Sequence, residues 1–73
     1  MHTEKIQKLE NEILEIKKAI KASKKEIKKR EKILAMVTDE EVEVEIQLYK
    51  EEIEKFENQL KTRKELIKNY KKL

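Results

Sequence analysis

Apolar residues recur along this chain at alternating steps of three and four, from Ile6 to Leu34 and again from Val42 to Tyr70. That spacing marks a helix with one narrow apolar stripe. Written as heptads, the first segment places Ile6, Ile13, Ile20, Ile27 and Leu34 at a, with Leu9, Ile16, Ser23, Arg30 and Val37 at d. The second places Ile46, Ile53, Leu60 and Ile67 at a, with Val42, Tyr49, Phe56, Arg63 and Tyr70 at d. Val42, Val44 and Ile46 also alternate with period two, as a half-exposed strand would. So short a run, with no second segment to pair with, reads as helix.

The break in the pattern is AMVTDEE, residues 35–41. Thr38 with Glu41 three positions later has the form of a capping box, and Asp39 and Glu40 set negative charge at the positive end of a new helix. The expectation is a helix over residues 3–36, a turn at 37–39 and a second helix over 39–71, each about 50 Å long at ~1.5 Å per residue. The chain holds no Gly and no Pro, which fits long helices joined by a single short turn.

Folding back at Thr38 brings the two stripes into register. Ile6 meets Tyr70, Leu9 meets Ile67, Ile13 meets Arg63, Ile16 meets Leu60 and Ile20 meets Phe56. Ser23 then meets Ile53, Ile27 meets Tyr49, Arg30 meets Ile46 and Leu34 meets Val42. Cap position, helix length and register agree, so the predicted class is all-α: one domain over residues 1–73, a two-helix antiparallel coiled-coil hairpin. Ser23, Arg30 and Arg63 are the polar members of the layers, each against an isoleucine, and are read as fixing register. An arginine there lays its stem on the isoleucine and offers its guanidinium to a flanking carboxylate: Glu26 or Glu45 for Arg30, Glu10 or Glu12 for Arg63. A second reading places both arginines at an interface formed on dimerisation.

Charge sharpens the choice of topology. Residues 17–32 carry nine basic and two acidic side chains, while residues 39–57 carry nine acidic and two basic. A folded-back chain sets these blocks side by side; parallel self-pairing would stack like charges. Exposed pairs such as Glu10 with Lys64 or Lys17 with Glu57 contribute only about 0 to 1 kcal/mol each, so they select the arrangement more than they stabilise it. One stripe is left over. Lys18, Lys21, Lys25, Lys28, Lys29 and Lys32 occupy b, c and f positions and point away from the partner helix, within reach of phosphates or an acidic protein surface. The three aromatic residues Tyr49, Phe56 and Tyr70 all belong to the seam, so no stacking platform accompanies these lysines.

Composition adds a limit. With 37% apolar and 48% charged residues, a chain this short gains only roughly 3 to 5 kcal/mol from its core. There is no cysteine to supplement it. Pairing with a second copy into a four-helix bundle, or docking on a larger protein, is therefore expected. The candidate partner-binding residues are Ile33 and Leu66 at g, Met36 at the turn, and Val44 and Leu48 on the outer side of helix 2. Ala19 and Leu73 also fall at g, and Leu14 is a further apolar residue outside the layers.

Catalytic chemistry is not expected. One histidine, His2, lies near the chain start without a second imidazole to bind metal. There is no thiol, no glycine-rich phosphate loop and no calcium-loop spacing; Asp39, Glu40 and Glu41 are accounted for by helix capping. No metal and no cofactor is expected. No apolar run is long enough for a membrane span or a secretory signal, so a cytoplasmic location is expected.

The acidic tip TDEE on a hairpin resembles the coiled-coil arm of transcript-cleavage factors that enter the secondary channel of RNA polymerase, in shape and in those four residues, without their second domain. Two-helix aspartyl-phosphate phosphatases carry a Ser-Gln-Glu-Leu-Asp signature that EIQLYKEE, residues 45–52, lacks. A Rop-like RNA-binding hairpin dimer is similar in size and plan. The leading expectation is a noncatalytic protein-interaction module, a regulator, inhibitor or assembly factor from a phage or other mobile element. Its alternatives are a nucleic-acid-binding hairpin dimer using the lysine stripe, and the coiled-coil arm of a larger protein.

Overall fold

The computed structural model describes residues 2–73 and consists of two helices, α1 (Thr3–Leu34) and α2 (Glu40–Lys72), packed against each other. The hairpin measures 56 × 14 × 12 Å. Two helices side by side are only one helix thick. No residue can therefore be enclosed on every side. Among the described residues only Ile13, Ile16, Ser23, Ile46 and Ile53 are buried, and no side chain is wholly inaccessible.

All eighteen residues expected in the nine layers are buried or half-buried, from Ile6 with Tyr70 at the open end to Leu34 with Val42 at the turn. Three cross-helix contacts mark the register. His2 stacks on Tyr70 with ring centroids 5.0 Å apart, Arg63 approaches Glu12 at 3.5 Å, and Arg30 bonds Glu45 at 2.6 Å. The residues beside the seam are not equivalent. Every e position from Glu10 to Lys71 is exposed, whereas Glu12, Ala19, Glu26 and Glu45, all at g, are half-buried. The seam thus leans toward its g side.

The turn corrects the sequence expectation in two places. First, α1 stops at Leu34 rather than Met36, so Val37 is not a seam residue but an exposed turn residue at 55% accessibility. The amides of Met36 and Val37 both bond the Ile33 carbonyl at 3.0 Å, tightening the last turn and satisfying that helix end. Among the described residues none has positive φ, so the reversal needs no glycine. Second, Asp39, not Thr38, is the N-cap of α2. Its backbone is extended at φ −144° and ψ 109°, and its Oδ1 accepts from the amides of Glu41 at 3.0 Å and Val42 at 3.4 Å. A carboxylate caps as well as any residue and also meets the helix dipole, which a threonine hydroxyl does not. With the cap at Asp39, the third helical position is Val42 and the capping box with Glu41 cannot form. The period-two stretch 42–46 lies wholly within α2.

Asp39→Ala should lower unfolding stability by about 0.5 to 2 kcal/mol, measured by urea denaturation followed by circular dichroism, and Thr38→Ala should change it far less. Equal losses at the two positions would contradict this cap assignment.

Candidate interaction surfaces

Two arginine sites divide the molecule. They lie thirty-three residues apart in sequence and are built from matching parts: Arg30 and Arg63, Glu45 and Glu12 across the seam, Glu26 and Gln59 one turn back, Tyr49 and Ile16 beneath. At the first site the guanidinium is engaged through Nε and Nη1. Nε donates to Glu45 Oε2 at 2.6 Å, and Nη1 donates to Glu26 Oε2 at 2.7 Å and to the Glu26 carbonyl at 3.2 Å. The guanidinium carbon lies 4.8 Å from the Tyr49 ring centroid, within cation–π range. The clasp shifts both ionisation equilibria toward the charged forms. Its bond to Arg30 and the nearby charge of Lys29 hold the Glu26 carboxyl below the usual range, while the bonds to Glu45 and Glu26 raise Arg30.

The second site is incomplete. Arg63 Nη1 reaches the Gln59 carbonyl at 3.3 Å, but Glu12 stands 3.5 Å from Nε and makes no hydrogen bond with it. Arg63 Nε is the buried side-chain polar atom left without a partner among the described residues. Beside it opens a groove of about 620 Å³, walled mainly by the first half of α1, with Glu4, Glu12, Glu15 and Ile16, and closed by Gln59 and Arg63 of α2. Periodicity gave no hint of this groove, because both arginines occupy d. Comparison of the chain with itself at an offset of thirty-three residues would have: it shows glutamine standing for glutamate and isoleucine for tyrosine.

The lysines expected to face outward do so. Lys18, Lys21, Lys25, Lys28, Lys29 and Lys32 are all exposed. Lys18 pairs with Glu15 and Lys29 with Glu26, each at 3.5 Å; among the described residues the other four make no ion pair. Such pairs on one exposed helix face contribute a few tenths of a kcal/mol. The expected cross-helix pairs Glu10 with Lys64 and Lys17 with Glu57 do not form. Their long exposed side chains gain too little to be fixed in one geometry, and the cross-helix ion pairs use the two arginines instead. Ser23 is the most buried of the described residues, at 5% accessibility. The aromatic residues remain in the seam, away from the lysine stripe: Tyr49 under Arg30, Tyr70 against His2 with Lys5 Nζ 5.6 Å from its ring, and Phe56 half-buried.

The apolar residues outside the layers stay open to solvent. Met36 is 87% accessible, Val44 and Leu48 58% each, and Ile33 and Leu66 are exposed as well. By heptad position they share the g, c and f side of the hairpin, apart from Met36 in the turn. The opposite e and b side carries Leu14 as its one large apolar residue.

Among the described residues no group of three or more His, Cys, Asp or Glu side chains is placed to hold a metal ion, and no helix is long and apolar enough to cross a membrane. No family model, curated protein or solved structure matches this chain.

Because the folded-state pKa of Glu26 is depressed, its contribution to stability is complete above the ordinary carboxylate range and is lost as pH falls through the depressed value. Glu26→Gln should therefore lower the thermal midpoint at neutral pH and flatten its decline on acidification between about pH 5 and 3. A parallel displacement of the whole midpoint–pH curve would show that the clasp carries no linked proton.

Proposed function

We propose that this chain is a small noncatalytic protein-interaction module, an antiparallel two-helix coiled coil that pairs with a second copy or docks on a larger protein through its g-side face. The observation that carries this reading is the set of exposed large apolar side chains, Ile33, Val44, Leu48 and Leu66 at g, c and f with Met36 in the adjoining turn, on a rod that buries only five of its described residues. A chain with so little core gains most from covering that side. A β-branched residue such as Val44 on an exposed helix surface gains nothing locally, whereas in an interface it contributes up to about 25 cal/mol for each Å² of apolar surface removed from water. Regulation, inhibition or assembly of a partner are the roles such a module suits, in the setting of a phage or mobile element. Val44→Lys combined with Leu48→Lys should abolish binding to a second copy or partner while helicity is unchanged. Binding that survives in a pull-down and in sedimentation would remove this face from consideration.

A second reading rests on the four lysines without ion pairs, Lys21, Lys25, Lys28 and Lys32, which lie on the outward face of α1 with Lys18 and Lys29. In it a hairpin dimer grips the phosphate backbone. Affinity for an RNA or DNA duplex would then fall with salt, with a log–log slope of about −3.6 if those four lysines each neutralise one phosphate of B-form DNA. A gel-shift assay at low salt that shows no complex would eliminate it.

A further inference from the structure

The two arginine sites are near copies, and the completed one shows what the open one lacks. Arg30 has a carboxylate on its own helix, a carboxylate across the seam and an aromatic ring beneath. Arg63 has Glu12 at ion-pair distance without a hydrogen bond, with Gln59 and Ile16 in the other two places. Its groove therefore lacks the same-helix carboxylate and the bulky ring of the first site: Gln59 stands beside Nη1 where Glu26 bonds Arg30, while Nε faces Glu12 without a hydrogen bond. A carboxylate brought to Nη1 would restore the charge-assisted bond that Glu26 gives Arg30.

The chain itself carries a segment with a carboxylate and a bulky apolar group. On α2, Leu48 is 58% accessible and Glu52, one turn further along, is exposed and makes no ion pair among the described residues. Glu52 shares the g stripe with Gln59 and Leu66, beside Arg63. Leu48 and Arg63 lie at nearly equal distances, about 11 Å at ~1.5 Å per residue, on either side of the middle of α2. If two copies of α2 lie head to tail, Leu48 and Glu52 of each therefore come level with Arg63 of the other. Charge favours the same arrangement. Residues 39–57 hold nine acidic and two basic side chains, and residues 61–73 hold six basic and one acidic. Head-to-tail α2 helices set these unlike blocks against each other twice, whereas parallel ones would oppose like blocks.

We propose that the groove at Arg63 is the seat for Leu48 and Glu52 of a second copy, in a two-fold pair whose α2 helices run head to tail at the centre and whose α1 lysine stripes remain outside. This rests on the reading of the g-side face as a self-association surface, and assigns its contacts. Each copy supplies the carboxylate and the apolar group that Arg63 of the other lacks. The contact is made twice by symmetry.

The chain has two arginines, so an amide-correlation spectrum of the labelled full chain contains two Nε–H signals, one from each site. On dilution the Arg63 signal should move while that of Arg30 stays fixed, and the mass in sedimentation should change in parallel between 8.9 kDa and twice that value. Glu52→Lys should raise the concentration of half-pairing at least tenfold with helicity unchanged. Gln59→Glu, which supplies a carboxylate from within, should give an Arg63 signal independent of concentration. Doubling of mass with a stationary Arg63 signal would overturn the assignment of the groove and leave self-association standing. A mass of one chain at all concentrations would overturn both.

Discussion

Two helices side by side share one stripe of contact, and water reaches everything else. This limit explains why the most buried apolar side chains, Ile13, Ile16, Ile46 and Ile53, still keep 8 to 9% of their surface. It also explains why polar side chains are admitted to the layers. An arginine at d in a closed core would have to shed its hydration completely, at a cost of several kcal/mol. In a seam open on both flanks it rests its stem on isoleucine and turns its charge outward. The side-chain accessibilities of Arg30 and Arg63, 21% and 28%, express that compromise.

The same openness makes the g side the natural place for more structure. Half-buried Glu12, Ala19, Glu26 and Glu45 already tilt the seam toward it, and the exposed leucines Leu48 and Leu66 extend it outward. The e side is saturated with charge. A covering element therefore gains apolar contact on one flank and would have to dehydrate lysines and glutamates on the other. The lysine stripe of α1, at b, c and f, lies away from the seam, where its charges remain hydrated.

Most of the fold was legible because period and composition pointed the same way: every layer residue from Ile6 to Tyr70 lost solvent exposure as the heptads required. What was not legible lay where two local solutions competed or where side-chain geometry decided. Thr38 and Asp39 are both capping residues, and a one-residue difference in helix start separates them; only the extended backbone and bonded amides at Asp39 select it. Val37 continues the heptad numerically, but the helix ends before it. Charge blocks indicated the pairing of the helices and not the particular partners, because exposed lysines are too weakly held for sequence to specify them. For the arginine sites the sequence contained the difference, Gln59 against Glu26 and Ile16 against Tyr49, in a repeat that a periodicity analysis does not compare.

The stacking of His2 on Tyr70 brings the two ends of the chain together at one end of the rod, while the reversal at the other uses only ordinary backbone conformations. The layers therefore do not record which helix comes first. A chain re-joined between these ends and opened within residues 35–39 would keep the residues of the seam, and would lose the cap at Asp39, the closure of α1 by the Met36 and Val37 amides and the entropy saved by a short loop, which changes slowly with length. The identity of the fold resides in the matched faces of two unlike helices, not in their order.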